Sequence, residues 1–90
     1  MIRIVIAEDQ QMLLSALASL IQLEDDIEVV AQAADGNKAL EAIRALRPDI
    51  CLLDIEMPGL GGLDVAEAVR REGLGCRIVI VTTFSRPGYL

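Results

Sequence analysis

The stretch CLLDIEMPGLGG, residues 51–62, decides the fold. It opens with an apolar run, and Asp54 follows that run directly before a segment rich in proline and glycine. A short apolar run bounded by turn residues predicts a strand that is buried on both faces of a parallel sheet. Proteins with such sheets bind ligands at the carboxyl ends of the strands. We therefore expect Asp54 and the loop that follows it to form the functional site.

Strands and helices alternate on both sides of this stretch. Apolar, β-branched runs predict further strands at residues 2–7, 27–34 and 77–81. Apolar residues at helical spacing predict helices from residue 11 to about 23, from the N-cap Asn37 to about Leu46, and from Leu63 to about Glu72. Such alternation predicts right-handed βαβ units, and therefore an α/β fold with an open, doubly wound parallel sheet.

The apolar faces of these helices are also predicted by spacing. In the first helix the expected face consists of Leu13, Leu17, Leu20 and Ile21. In the second helix it consists of Ala39, Leu40 and Ile43. We expect each face to pack on the sheet.

Composition excludes several classes of protein. The chain has 90 residues, 53% of them hydrophobic, and a net charge of −6, which indicates one small folded domain. Its eight basic residues are scattered, so this segment is not expected to bind nucleic acid directly. No apolar stretch approaches the roughly 18 residues of a membrane span, so we expect a cytoplasmic chain with no membrane partner. Cys51 and Cys76 are interpreted as structural thiols rather than a disulfide or a metal pair.

Three predicted strands end in polar residues that suit phosphoryl chemistry. Glu8 and Asp9 follow the first strand, Asp54 ends the third, and Thr82 follows the fourth. In one parallel sheet these strand ends share an edge, where clustered carboxylates either bind protons or hold a hard cation such as Mg²⁺. With Mg²⁺ present, Asp54 could act as a nucleophile toward phosphorus, and the Thr82 hydroxyl could donate a hydrogen bond to the product.

Each of these residues also has a purely structural explanation when it is taken alone. Glu8 and Asp9 could be acids that favour the N-terminus of the following helix. Asp54 could cap its own loop, and Thr82 could be a threonine at the end of a strand. Only the ordered set of acids and hydroxyl at three strand ends favours function.

The segments that carry this set resemble the receiver domains of two-component response regulators. They are AED at residues 7–9, LLDIEMPG at residues 52–59 and VTT at residues 81–83. Residues 82–89, TTFSRPGY, resemble the NarL/FixJ class in particular. The resemblance covers the whole chain and implies the flavodoxin-like, CheY-like strand order 2-1-3-4, with the fifth strand missing. Residues 1–90 would then be an incomplete receiver domain, without the rest of the receiver or a DNA-binding output domain.

The resemblance also implies a role for each site residue. Asp54 would be the phospho-acceptor and Thr82 the switch hydroxyl. Asp9 would bind Mg²⁺ directly together with Asp54, Glu8 would act mainly through water, and the backbone carbonyl of Glu56 would be a further ligand. The phosphoryl donor would be a sensor histidine kinase, and DNA would be bound only through an output domain.

Two alternatives to a signalling receiver stay open. A Mg²⁺-dependent phosphohydrolase would use Asp54 as its nucleophile and Glu56, two residues later, as its general acid. The chain could also be a truncated fragment that does not signal. We further expect the fourth strand to offer an apolar, unpaired edge, which favours a homodimer or aggregation.

Overall fold

The computed structural model describes residues 1–81, so the predicted roles of Thr82 and of the residues after it lie outside the described part. Seven elements follow one another along the chain. They are β1 (Ile2–Ala7), α1 (Gln11–Ile21), β2 (Ile27–Ala33), α2 (Gly36–Leu46), β3 (Ile50–Asp54), α3 (Gly62–Glu72) and β4 (Arg77–Val81). The predicted alternation of strands and helices is confirmed.

The sheet has four parallel strands in the order β2-β1-β3-β4, as the resemblance implies. In its register Ala7 lies beside Leu53, and Asp54 lies beside Val81. Since β1 and β3 are neighbours, the residues that follow them emerge side by side at one edge of the sheet. This register positions the candidate site.

The central strands are covered on both faces, which explains why they are apolar apart from Arg3 and Asp54. Val5 and Ala7 point into a core with α2 and α3, while the alternate residues Ile4 and Ile6 pack with α1. All four are at most 5% exposed. Burial of a large aliphatic side chain contributes roughly 1.5–3 kcal/mol to the free energy of folding. The buried residues of β1 and β3 therefore fix the positions of the carboxyl ends of these strands.

The predicted face of α1 is partly wrong. Leu14 and Ala18 are the buried residues of this helix, whereas Leu20 is 63% exposed. All of these positions are apolar, so spacing allows two overlapping stripes. Packing on β1 selects the stripe that contains Ala18, whose small side chain lets the helix approach the sheet. In α2 the predicted face of Ala39, Leu40 and Ile43 is buried as expected.

The predicted N-cap of α2 is also wrong. Asp35, rather than Asn37, has the extended backbone of a cap, and its Oδ1 atom accepts a hydrogen bond of 2.8 Å from the backbone N–H of Lys38. Helical geometry begins at Gly36, so Asn37 lies inside the first turn. Asp and Asn are both good caps, and the point at which the chain leaves β2 decides between them.

The sheet within residues 1–81 has two edge strands, β2 and β4, and the predicted apolar edge is β4. Within residues 1–81 this strand pairs only with β3, and Val79 is 44% exposed. Self-association through this edge stays a prediction that light scattering can test. No helix within the same residues is long and apolar enough to cross a membrane.

Candidate functional site

The carboxyl ends of β1 and β3 bring three acids together. Glu8 and Asp9 follow β1 and Asp54 ends β3, and each of the three residues offers a carboxylate oxygen within 4.8 Å of the other two. The convergence follows directly from the pairing of Ala7 with Leu53. The predicted meeting of these acids at one edge is therefore confirmed as geometry.

Two of these acids are buried. Glu8 is 1% exposed and Asp54 is 2% exposed, while Asp9 is only partly buried. A buried carboxylate loses much of its hydration, and a second carboxylate nearby disfavours its charge further. The cluster is thus a local concentration of negative charge with little water around it.

Glu8 also contacts the start of α1. Its Oε2 atom accepts a hydrogen bond of 2.7 Å from the backbone N–H of Gln10, which is the N-cap residue of that helix. The Gln10 side chain itself provides no cap. The structural explanation of Glu8 as an N-terminal acid is therefore correct in part, because the same carboxylate both supports the helix and faces Asp54. Sequence reasoning missed this contact, since a backbone N–H leaves no signal in the residue type.

The environment of Glu8 raises its pKa from 4.5 to about 7. Burial is the main cause, and hydrogen bonds with Asp9 and Asp54 and the charge of Asp54 act in the same direction. The N–H of Gln10 opposes them by stabilising the charged form. Near neutral pH Glu8 is therefore only partly ionised, and a bound cation would displace its proton.

The loop after Asp54 is held close to the site. Met57 is buried in the core beneath α2 and α3, and the backbone N–H of Gly62 donates a hydrogen bond of 2.8 Å to the carbonyl of Ile55. A Cβ atom on Gly62 would overlap the backbone carbonyl of Asp54. The sequence predicts Gly62 only as part of the loop, but it is the first residue of α3, and glycine there lets the helix begin directly against the backbone of Asp54.

The other predicted site residues are positioned as follows. Glu56 is exposed, and its side chain is not part of the carboxylate cluster. A role for its backbone carbonyl as a ligand stays a prediction. Thr82 is outside the described residues, although β4 ends beside Asp54 at Val81.

The donor set fits a hard divalent cation. Mg²⁺ prefers carboxylate oxygens and water at about 2.0–2.1 Å in an octahedron, so its ligands lie roughly 3–4 Å apart. Oxygens of Glu8, Asp9 and Asp54 within 4.8 Å of one another reach such spacing with small side-chain movements. Asp9 is partly exposed, so solvent reaches the cluster on its side.

Comparison with known proteins assigns the family. Residues 4–90 match the response regulator receiver domain, and the chain belongs to this family. It is 55% identical to two proteins of Bacillus subtilis, the transcriptional regulatory protein DesR and the uncharacterized transcriptional regulatory protein YvfU. Each match covers 99% of this chain but only 44% of the relative. The chain thus spans less than half the length of these relatives.

Solved structures agree with this assignment. A DNA-binding response regulator of the LuxR family from Staphylococcus aureus superposes with a TM-score of 0.89 at 44% identity, over 99% of this chain and 74% of that one. The signal receiver domain of the response regulator NarL from Mycobacterium tuberculosis gives 0.90 at 35% identity, over 98% and 71%. The CheY-like fold and the resemblance to NarL-type regulators are confirmed.

Proposed function

We propose that this receiver domain accepts a phosphoryl group on Asp54 from the phosphohistidine of a sensor histidine kinase, with Mg²⁺ as cofactor. The observation that carries the proposal is the cluster of Glu8, Asp9 and Asp54 at the end of two buried strands. Membership of the receiver family supports it independently.

The acceptor chemistry requires one carboxylate oxygen of Asp54 in line with the leaving nitrogen. An oxygen of Asp54 attacks phosphorus, the P–N bond to the kinase histidine breaks as the P–O bond forms, and the histidine nitrogen retains the electron pair and takes up a proton. The product is an acyl phosphate on Asp54. Burial of β3 holds the acceptor in a fixed orientation, so little motion is needed for this step.

Glu8 and Asp9 would hold the cation beside the acceptor, with the Glu56 carbonyl as a further ligand. When bound, Mg²⁺ supplies positive charge that offsets the repulsion between the carboxylates and the phosphoryl oxygens. Asp9 is the best placed direct ligand because it is partly exposed, while the deeper Glu8 can exchange its proton as the cation enters.

The phosphorylated state would be read by the neighbouring strand. Val81 at the end of β4 lies beside Asp54, and Thr82 is the next residue along the chain. We assign to Thr82 the role of a switch hydroxyl that bonds the new phosphoryl group and shifts the equilibrium between two conformations. In the whole protein this shift would control transcription through a DNA-binding output domain in the cytoplasm.

The test is to incubate the complete encoded protein with acetyl phosphate in the presence of Mg²⁺ and to measure its intact mass by mass spectrometry. We expect wild type to gain one phosphoryl group and Asp54→Asn to gain none, because the amide lacks a nucleophilic oxygen. Asp25→Asn, at an exposed turn, is the matched control and should behave as wild type. An equal mass gain in Asp54→Asn would show that the acceptor lies elsewhere.

The phosphohydrolase alternative has a separate readout. It requires Glu56 to act as general acid at the leaving group, yet this side chain is exposed and outside the carboxylate cluster. We expect no sustained turnover of p-nitrophenyl phosphate. Multiple turnovers that disappear in Glu56→Gln would favour the hydrolase instead.

A further inference from the structure

Two thiols meet at the opposite end of β3 from the phospho-acceptor. Cys51 in β3 is 0% exposed, and Cys76, directly before β4, is partly exposed. Both cysteines are free, but their Sγ atoms lie only 2.9 Å apart. Such proximity goes beyond what packing of two separate small side chains requires.

The sheet itself produces this contact. Cys51 lies beside Ile78 in the register, so Cys76, two residues earlier, points to the same face of the sheet. The pairing of Ile50 with Arg77 and a backbone hydrogen bond of 2.9 Å from Arg77 to Asp49 fix the strands on either side of the thiols. The two sulfur atoms are therefore held together by main-chain geometry.

The surroundings favour a covalent bond over a metal site. A thiolate metal centre usually has four ligands, whereas the chain contains no histidine and the acidic cluster is the one metal-type group among residues 1–81. A disulfide has an S–S length of about 2.05 Å, so the two sulfur atoms need to approach by less than about 1 Å. The segment before Cys76 can follow, because Gly73 and Gly75 both have positive φ and have open space around them.

Access to the two thiols is unequal. A dissolved oxidant can meet the partly exposed Cys76, while Cys51 is fully buried. Burial, together with the adjacent Cys76, raises the pKa of the Cys51 thiol far above its usual range. Cys76 is therefore the thiol that is oxidised first, and Cys51 is the resolving thiol.

We propose that Cys51 and Cys76 form a redox modification site, which closes to a reversible intrachain disulfide when the chain meets a peroxide. The Cys76 sulfur attacks one peroxide oxygen, the O–O bond breaks, and a sulfenic acid and one water form. The Cys51 sulfur then attacks the Cys76 sulfur, the S–O bond breaks, and the Cys51 proton leaves with the oxygen as a second water. Two thiols lose two electrons in total, and one peroxide is reduced to two waters.

The disulfide would connect the two strands that lead to the proposed acceptor and switch residues. The closed loop runs from Cys51 to Cys76, a separation of 25 residues, and contains the loop after Asp54 and all of α3. A bond that closes a loop of this size restricts the unfolded chain, so the oxidised form should melt at a higher temperature. This inference does not depend on phosphorylation of Asp54.

The experiment treats the reduced 90-residue chain with hydrogen peroxide, removes the peroxide, and alkylates the chain after denaturation. We expect no alkylation, the mass of the chain less two hydrogens, a crosslinked peptide containing Cys51 and Cys76, and a melting temperature raised on the order of 10 °C. Dithiothreitol should reverse all four changes.

Cys76→Ser is the matched variant, because its partly exposed site tolerates a hydroxyl. It should melt close to reduced wild type, and peroxide should not raise its melting temperature. Several results on wild type alone would overturn the inference: two thiols that stay open to alkylation after peroxide, a disulfide that joins two chains, or Cys76 oxidised to a sulfinic acid with Cys51 still free.

Discussion

Replacing Glu8 by Gln should stabilise the metal-free chain above neutral pH and leave its stability nearly unchanged only below about pH 4.5. Glu8 is 1% exposed, and its pKa is raised to about 7 in the folded chain, from 4.5 as the ordinary value. A raised pKa means that the folded state holds the proton more tightly than the unfolded state does. The stability that this proton provides is complete below pH 4.5 and is lost as the pH rises through about 7.

The size of this change in the free energy of unfolding follows from the shift in the pKa of Glu8. Each pKa unit corresponds to about 1.36 kcal/mol, and the folded chain loses the Glu8 proton mainly between pH 5.5 and 8.5. Across that interval wild type should lose on the order of 2 kcal/mol relative to Glu8→Gln, whose amide carries no charge at either pH. The amide can also donate a hydrogen bond toward Asp9 or Asp54, which neutral Glu8 does through its hydroxyl.

Urea unfolding in the presence of a chelator measures the difference. The free energy of unfolding is determined at pH 5.5 and 8.5 for wild type, Glu8→Gln and the control Glu28→Gln, which changes an exposed acid in β2. We expect the difference between wild type and Glu8→Gln to grow by about 2 kcal/mol with pH, while Glu28→Gln follows wild type. Parallel curves for wild type and Glu8→Gln would refute the reasoning, because burial of Glu8 would then carry no charge penalty.

Two further predictions concern the cation and the cap of α2. Mg²⁺ at 100 times its dissociation constant should stabilise wild type by about 2.7 kcal/mol in thermal unfolding, and Asp9→Ala should remove this response. A wild-type melting temperature that is the same with and without Mg²⁺ would contradict the metal site. Asp35→Ala should cost about 1 kcal/mol in urea unfolding, because the Lys38 N–H loses its acceptor. The control Asp25→Ala changes an exposed acid outside any cap, and equal losses in both variants would show that Asp35 does not stabilise the helix.

The strands and the meeting of the acids could be predicted from the sequence because an apolar, β-branched run is a local signal of a strand. Residues 2–7 and 77–81 were predicted with the bounds that the structure gives to β1 and β4. Each is an uninterrupted apolar, β-branched run apart from single arginines near its start. Once strand ends are known, a parallel sheet requires the residues after them to share an edge, so Glu8, Asp9 and Asp54 meet without further information.

The structural details that the sequence does not reveal depend on contacts between segments that are distant along the chain. Leu13 and Leu14 are equally apolar, and only packing on β1 buries Leu14 more deeply. Asp35 and Asn37 are equally suitable caps, and only the exit from β2 favours Asp35. The contact between Cys51 and Cys76 depends on the register of β3 and β4, which two cysteines separated by 25 residues do not reveal.

The position of the acids within the fold indicates what they are for. A chain selected only for stability would place apolar residues where Glu8 and Asp54 are buried, since charge there raises the free energy of the folded state. The strands that lead to them are apolar apart from Arg3 near the start of β1, so the two acids interrupt an otherwise consistent core at its carboxyl edge. Groups that oppose folding and still converge within 4.8 Å are best explained by a ligand that offsets their repulsion. Replacing these acids by neutral residues should therefore make the protein more stable and the site inactive. Such a stability–activity trade-off is expected where residues are retained for binding rather than for packing.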